Sequence, residues 1–297
     1  MAALNYATQY QRELEQAFPY VLYFGALYNT PNNGRYRWLN GKTIEIPSIS
    51  VTGRVDSTRD TIATAARNYD NSWVPLTLSN ERKWSTLVHP RDVQETNQAT
   101  TIANITKVFN EEQKFPEMDA YTISKIYADW TDGEKEAITT ALTAENVLSV
   151  FDQMLEAQAE GRVPRNGSVL YVTPATNTLI KNAQGIYRTL NVSQQNELNR
   201  AITALEEISI VEVPSELMKT LYDFTSGWKV AAGASQINMA LINPIAVITP
   251  VSYEFAKLDP PSALSEGKYV YYEESHEDVF VLKNKLDAIQ MSVTAAA

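Results

Sequence analysis

Between residues 39 and 88 the chain alternates apolar and polar side chains but has no means of burying the apolar ones by itself. Ile44 and Ile46, then Ile49 and Val51, alternate with polar residues at the period of a half-buried strand. A polar stretch from Gly53 to Asn71 follows, with Arg54, Asp56, Arg59, Asp60, Arg67 and Asp70. A second strand-like run, Trp73-Val74-Pro75-Leu76-Thr77-Leu78, then continues to Trp84, Leu87 and Val88. The pattern predicts a long two-stranded arm. A lone two-stranded ribbon is marginal in water. Its apolar face must therefore rest on the remainder of the chain or on a second copy.

The flanking pattern is different on each side. Residues 1–38 read as an aromatic-rich arm, with a short amphipathic helix predicted from Tyr6 to Phe18 and a turn at Thr30-Pro31-Asn32-Asn33-Gly34. Aromatics on a segment without its own core dock onto another surface. Downstream, Asp92 and Glu95 stand at capping-box spacing ahead of Ala99, Ile102, Ile105 and Phe109. This predicts a helix over 92–115, stopped by Pro116. Helices are also predicted over 117–130, with Ile123, Ile126, Tyr127 and Trp130 on one face, and over 143–160, with Leu148, Phe151 and Leu155 inward.

Beyond Gly161 short strands alternate with helical segments. Val169–Val172, Ser209–Val213, Met239–Ile242 and Ala246–Thr249 read as strands, and Thr173-Pro174 as a helix start. An α/β module is expected at about 163–262. Lys268–Tyr272, Val279–Leu282 and Ala288–Val293 are expected to close the chain as a three-stranded antiparallel meander.

Apolar residues make up 44% of the 297, enough for a sizeable core. The net charge of −10 is unevenly placed. Residues 1–91 hold ten Lys/Arg and seven Asp/Glu, a balance of +3; residues 92–297 hold fifteen and twenty-eight, a balance of −13. A basic arm and an acidic body suit wrapping of one copy around another. An acidic body does not suit binding nucleic acid through phosphates. With no cysteine, disulfides and thiolate chemistry are excluded. The Met-Ala-Ala-Leu-Asn-Tyr start has no signal-peptide pattern, which leads to an expectation of cytoplasmic synthesis.

No constellation of catalytic residues emerges. His276 sits among Glu273, Glu274, Glu277 and Asp278, a pattern expected for an exposed charged turn more than for a metal site. Neither GxGxxG nor a P-loop occurs, and Ser168 and Ser235 lie in no nucleophile elbow. Glu111-Glu112, Glu206-Glu207 and Glu273-Glu274 read as solvated faces before they read as paired glycosidase acids.

What carries a functional signal is the order of the segments. Gly41-Lys42-Thr43-Ile44-Glu45-Ile46-Pro47 with Val51-Thr52-Gly53 comes first, then Asp92-Val93-Gln94-Glu95-Thr96-Asn97. Pro116–Tyr121 with Ser124-Lys125-Ile126, Leu170–Pro174 and Ile242–Ile248 follow. In this order the chain resembles the major capsid protein of tailed double-stranded DNA bacteriophages, the Hong Kong 97 fold, particularly of phages infecting Gram-positive bacteria. The resemblance implies an α+β fold with an N-terminal arm (1–38), an extended β-hairpin loop (39–88), a spine helix (92–115) in a peripheral domain (89–162 and 263–297), and an axial domain (163–262). It implies a non-enzymatic shell protein, without cofactor or metal, that self-assembles as pentamers and hexamers into an icosahedral or prolate head around DNA. It places the protein in the virion after assembly in the host cytoplasm. A separate scaffolding protein, a portal protein and decoration proteins are the implied partners. Candidate inter-subunit contacts are Trp38, Ile44, Ile46, Ile49, Val51, Arg54, Arg59, Trp73 and Trp84. Some relatives weld subunits through a Lys–Asn bond; Lys42, Lys83 and Asn284 are present here, but no motif singles them out. Rival readings are an encapsulin-type compartment enclosing protein cargo, a carboxylate-dependent hydrolase and a surface adhesion module.

Overall fold

The computed structural model describes residues 22–54, 67–95, 101–183, 204–205 and 207–294. The helix expected at Tyr6–Phe18, the Arg59 region and residues 96–100 of the expected spine lie outside them.

The chain enters through a short helix, α1 (Gly25–Tyr28), which the body holds firmly. The backbone N–H groups of Tyr23 and Phe24 donate to the buried Asp119 carboxylate at 2.9 and 3.1 Å. The Phe24 ring lies 4.7 Å from that of Tyr171. Strands β1 (Arg37–Asn40), β2 (Thr43–Val51) and β3 (Tyr69–Thr77) then form an antiparallel ribbon in that order. Ile44 faces Leu76 and Ile46 faces Val74 across it. The root is fixed in a small core of Ile44, Leu78, Ile248 and Phe280.

Strand β4 (Glu81–Val88) is not part of this ribbon, in contrast to the expectation of one arm over 39–88. The chain turns at Ser79, whose N–H and hydroxyl both donate to Asp278 (2.7 and 3.1 Å), and β4 pairs with a strand almost two hundred residues later.

Helix α2 (Pro90–Glu95) starts two residues before Asp92. The His89 ring accepts from the Arg91 N–H at 3.1 Å, and Glu95 pairs with Arg91 at 2.7 Å. Thr101 caps α3 (Ile102–Phe109). The helix does not stop at Pro116. Residues Asn110–Lys114 widen into a π-helical turn, in which the Phe115 N–H reaches the Asn110 carbonyl, and α4 runs on from Phe115 to Asp132. A proline lacks an N–H and crowds the preceding turn, and the wider turn absorbs both effects just ahead of it. α4 carries Ala120, Ile123, Ile126 and Trp130, all fully or almost fully buried, into the main core.

The remaining elements build a three-layer body. Helix α5 (Val147–Glu160), β5 (Val169–Val172) and α6 (Pro174–Asn182, capped by Thr173) are followed by β6 (Ala204–Leu205) and β7 (Ile208–Glu212). A two-stranded excursion, β8 (Tyr222–Asp223) and β9 (Lys229–Val230), precedes β10 (Gln236–Ile242). The short β11 (Val247–Ile248), the long hairpin β12 (Val251–Asp259) and β13 (Tyr269–Glu277), then β14 (Phe280–Val281) and β15 (Ile289–Thr294) complete the chain.

The central sheet runs β15-β10-β5-β7-β6, and only β5 and β7 are parallel. Every residue of β5 is buried, because both faces are covered: Val169 and Tyr171 join the core around α4, while Leu170 and Val172 join the core around α5. That explains its unbroken apolar run. Residues 283–288 press against the ends of both flanking helices. A Cβ on Gly133 would lie 2.3 Å from Leu286, and one on Gly161 2.4 Å from Asp287.

The expected C-terminal meander does not form. β13 pairs with β12 and β4, β14 with β11, and β15 with β10, so three successive strands enter three sheets. Nor is 273–278 an exposed turn. Glu273 and His276 are buried in β13, and Asp278 is buried where the sheets diverge, accepting from Ser79, the Tyr121 hydroxyl (2.7 Å) and the Val279 N–H (2.8 Å).

Candidate assembly surfaces

The ribbon changes character along its length. At the root Ile44 is completely enclosed by its own chain, and Ile46 is half-buried beside it. Toward the tip, Ile49 is 70% and Val51 74% exposed, with Tyr69 also bare. Trp38 and Trp73 remain about two-fifths exposed; Arg37 lies 3.6 Å above the Trp73 ring and pairs with Glu45 at 2.8 Å. Arg54 is exposed at the end of β2. Trp84 is apart from all of these: it stacks on Phe109 of α3 with centroids 3.9 Å apart. Of the sequence-derived contact candidates, Ile49, Val51 and Trp73 thus share one bare face, with Arg54 exposed beyond it; Trp38, opposite Ile44 at the root, is partly exposed on the other face, and Ile44 and Trp84 are occupied within the chain.

A second bare region went unrecognised in the sequence. The outer edge of the β12–β13–β4 sheet is β12, which among the described residues has no strand on its far side. Tyr253 and Phe255 stack on it with rings 6.3 Å apart, and Leu258 is half exposed. The alternation Val251, Tyr253, Phe255 was the available signal. The turn beyond it holds Leu264, 99% exposed.

Between the π-turn and this sheet lies a cleft of about 290 Å³ rich in charge. Lys114 pairs with Glu273 at 3.2 Å, and Arg82 pairs with Glu117 at 2.5 Å while also donating to the Phe224 carbonyl. Burial pushes the Glu277 carboxyl above the usual range; Lys114 opposes this, and Glu254, Glu117 and Asp278 add to it. Burial likewise raises Asp129, against the Lys125 ammonium at 2.9 Å. Glu273 and Glu274 are adjacent in a strand and point to opposite faces, so they cannot converge on one substrate atom. Each instead accepts from a tyrosine hydroxyl, Tyr271 and Tyr272. Among the described residues no cluster of His, Asp and Glu could hold a metal ion, and no helix is long and apolar enough to cross a membrane.

No family model matches the sequence, and no curated protein matches it. Solved structures do match. The chain superposes on a protein of Mycobacterium phage Che8 at 14% identity, covering 98% of each chain, with TM-score 0.66. It matches the bacteriophage PhiM1 mature capsid at 10% identity, covering 99% of this chain and 93% of that one, TM-score 0.68. It matches the capsid of cyanophage P-SCSP1u at 12% identity, with coverage of 98% and 93% and TM-score 0.66. The chain has a phage capsid fold. Coverage is near-complete in both directions, so the matched fold takes in the ribbon, the spine and the layered body. The α+β class expected from the order of segments is the class observed.

Proposed function

We propose that the chain is a major capsid protein, a structural subunit whose copies assemble as pentamers and hexamers into a closed icosahedral or prolate head around double-stranded DNA. The observation that supports this most is the bare distal ribbon on a capsid-fold body: Ile49 and Val51 are exposed by 70% and 74% in a strand pair with no core of its own. Assembly supplies the missing surface. In this reading the ribbon belongs to the extended loop, residues 89–162 with 263–297 form the peripheral part, and residues 163–262 form the axial part. The outer face of α5 presents exposed Asp152, Glu156 and Glu160, which repel phosphate and let DNA pack without adhering. The protein acts in the virion, with a separate scaffolding protein and a portal as partners during assembly.

Expression of the chain alone and with its scaffolding partner, viewed by negative-stain microscopy, tests the reading. Closed particles of uniform size are expected. A protein that stays monomeric under both conditions contradicts it.

A further inference from the structure

A knob and a hole lie at opposite ends of one hairpin. The hole is a cavity of about 330 Å³ at the ribbon root, within the size range of ligand pockets. Its floor is apolar, with Ile46, Val74, Leu76 and Leu282, and its rim is basic, with Arg35, Lys283 and Lys285. Among the described residues not one carboxylate lines it. In a chain of net charge −10 that is a local reversal of sign. Lys285 donates to the Ile245 carbonyl at 3.0 Å, which leaves the other two cations on the outer rim.

The knob is Leu264. It stands 99% exposed on a turn braced from within. The Ser262 N–H donates to the Ser265 hydroxyl at 2.9 Å, the Ser265 N–H returns to the Ser262 hydroxyl at 3.2 Å, and the Gly267 N–H closes onto the Ser262 carbonyl at 2.9 Å. Gly267 sits at φ +74°, a conformation that favours glycine. A leucine held this way loses little entropy on docking. The hairpin that carries it, 251–277, has six carboxylates against two lysines, so −4. Its sign is opposite to that of the rim.

Leu264 cannot reach the hole in its own chain. The hairpin is rooted where Val251 faces Glu277, next to the Ile248 and Val281 that border the cavity, and its last rung is Asp259 facing Val270. Nine strand residues separate the two ends, on the order of 30 Å. A knob at one end of a rigid element and a complementary hole at the other make a head-to-tail contact, the kind that closes rings and shells when repeated. We infer that the Leu264 turn of one copy docks into the basic-rimmed cavity at the ribbon root of a neighbouring copy. This contact rests on the shell reading and gives it one specific joint.

The chain has no cysteine, so a cross-link reads the contact directly. Leu264→Cys and Leu282→Cys proteins are made separately, mixed under assembly conditions and exposed to a mild oxidant. A disulfide-linked dimer is expected in the mixture and in neither protein alone. Dimers of Leu264→Cys alone mean that the turns meet each other and overturn the inference. So do closed particles lacking the mixed dimer. If the wild type forms no closed particle, the shell reading fails, and the cross-link in the soluble protein still decides the contact: its presence supports the joint and its absence overturns it. As a second measurement, Leu264→Asp, at a position too exposed to affect folding, is expected to lower particle yield at least tenfold with an unchanged subunit melting curve; an unchanged yield contradicts the inference.

Discussion

Strands β5 and β2 are both apolar, yet they meet opposite fates. β5 is covered on one face by α4 and on the other by α5, and all four of its residues are buried. β2 is enclosed only at Ile44, with Ile46 half-buried beside it, whereas Ile49 and Val51, toward the tip and on the opposite face, are left bare. The first arrangement stabilises a subunit. The second stores apolar surface that becomes useful only when another molecule arrives. Large bare patches on a soluble fold mark interaction sites.

The comparison breaks first at its strongest point. Leu170→Ala in β5 removes a fully enclosed side chain and should cost about 2–5 kcal/mol of subunit stability. Ile49→Ala should cost no more than about 0.5 kcal/mol but reduce the yield of closed particles. Chemical denaturation of the unassembled subunit checks the first half, and sedimentation of the assembled material the second. Equal effects of the two variants on subunit stability would erase the distinction.

Removing the distal ribbon sharpens it. Ile46 and Val74 are register partners, so a two-residue turn can join them and leave the root intact. This protein should melt like the wild type and make no closed shells. A cut over the whole of 39–88 would not be a clean test, since it also takes β4 out of the β12–β13–β4 sheet.

A smaller effect belongs to the boundary between the two regions. Phe109 stacks on Trp84 but remains half-buried, so Phe109→Ala should cost about 1–3 kcal/mol, less than an enclosed aromatic. Calorimetry of purified particles should show a lowered transition; an unshifted one would mean that the stack contributes nothing.

The smallest effect depends on pH. Burial raises the Glu277 carboxyl, so the folded state penalises its charged form. The group's contribution to stability is therefore full below the unfolded value of about 4.3 and is lost as pH rises through the folded value. Glu277→Gln should raise the melting temperature slightly at neutral pH and leave it unchanged below about pH 4. A variant that melts lower than the wild type at pH 7 would point to an ion pair and not to a burial penalty.

Local structure was legible in the sequence wherever near neighbours decide it. The Thr173 cap, the inward face of α5 and the buried run of β5 follow from spacing alone. Partners were not legible. β13, β14 and β15 read alike as successive short strands, and only contacts across the whole chain assign them to different sheets. Pro116 misled because a proline stops a regular helix, while a π-turn just before it changes the rule. The 273–278 segment misled because its charges are satisfied from afar: Asp278 is buried on the donors of Ser79 and Tyr121, residues 199 and 157 positions away. The bare tip of the ribbon was visible as a strand pair lacking a core, whereas Leu264 offered no periodic signal at all.

Amide hydrogen exchange on the subunit and on the assembled particle tests the central claim most directly. Amides of β5 should be strongly protected in both forms. Amides at 47–51 and 69–73 should exchange freely in the subunit and become protected by at least tenfold in the particle. Ribbon protection that is the same in both forms would contradict the claim that assembly supplies the surface this strand pair lacks.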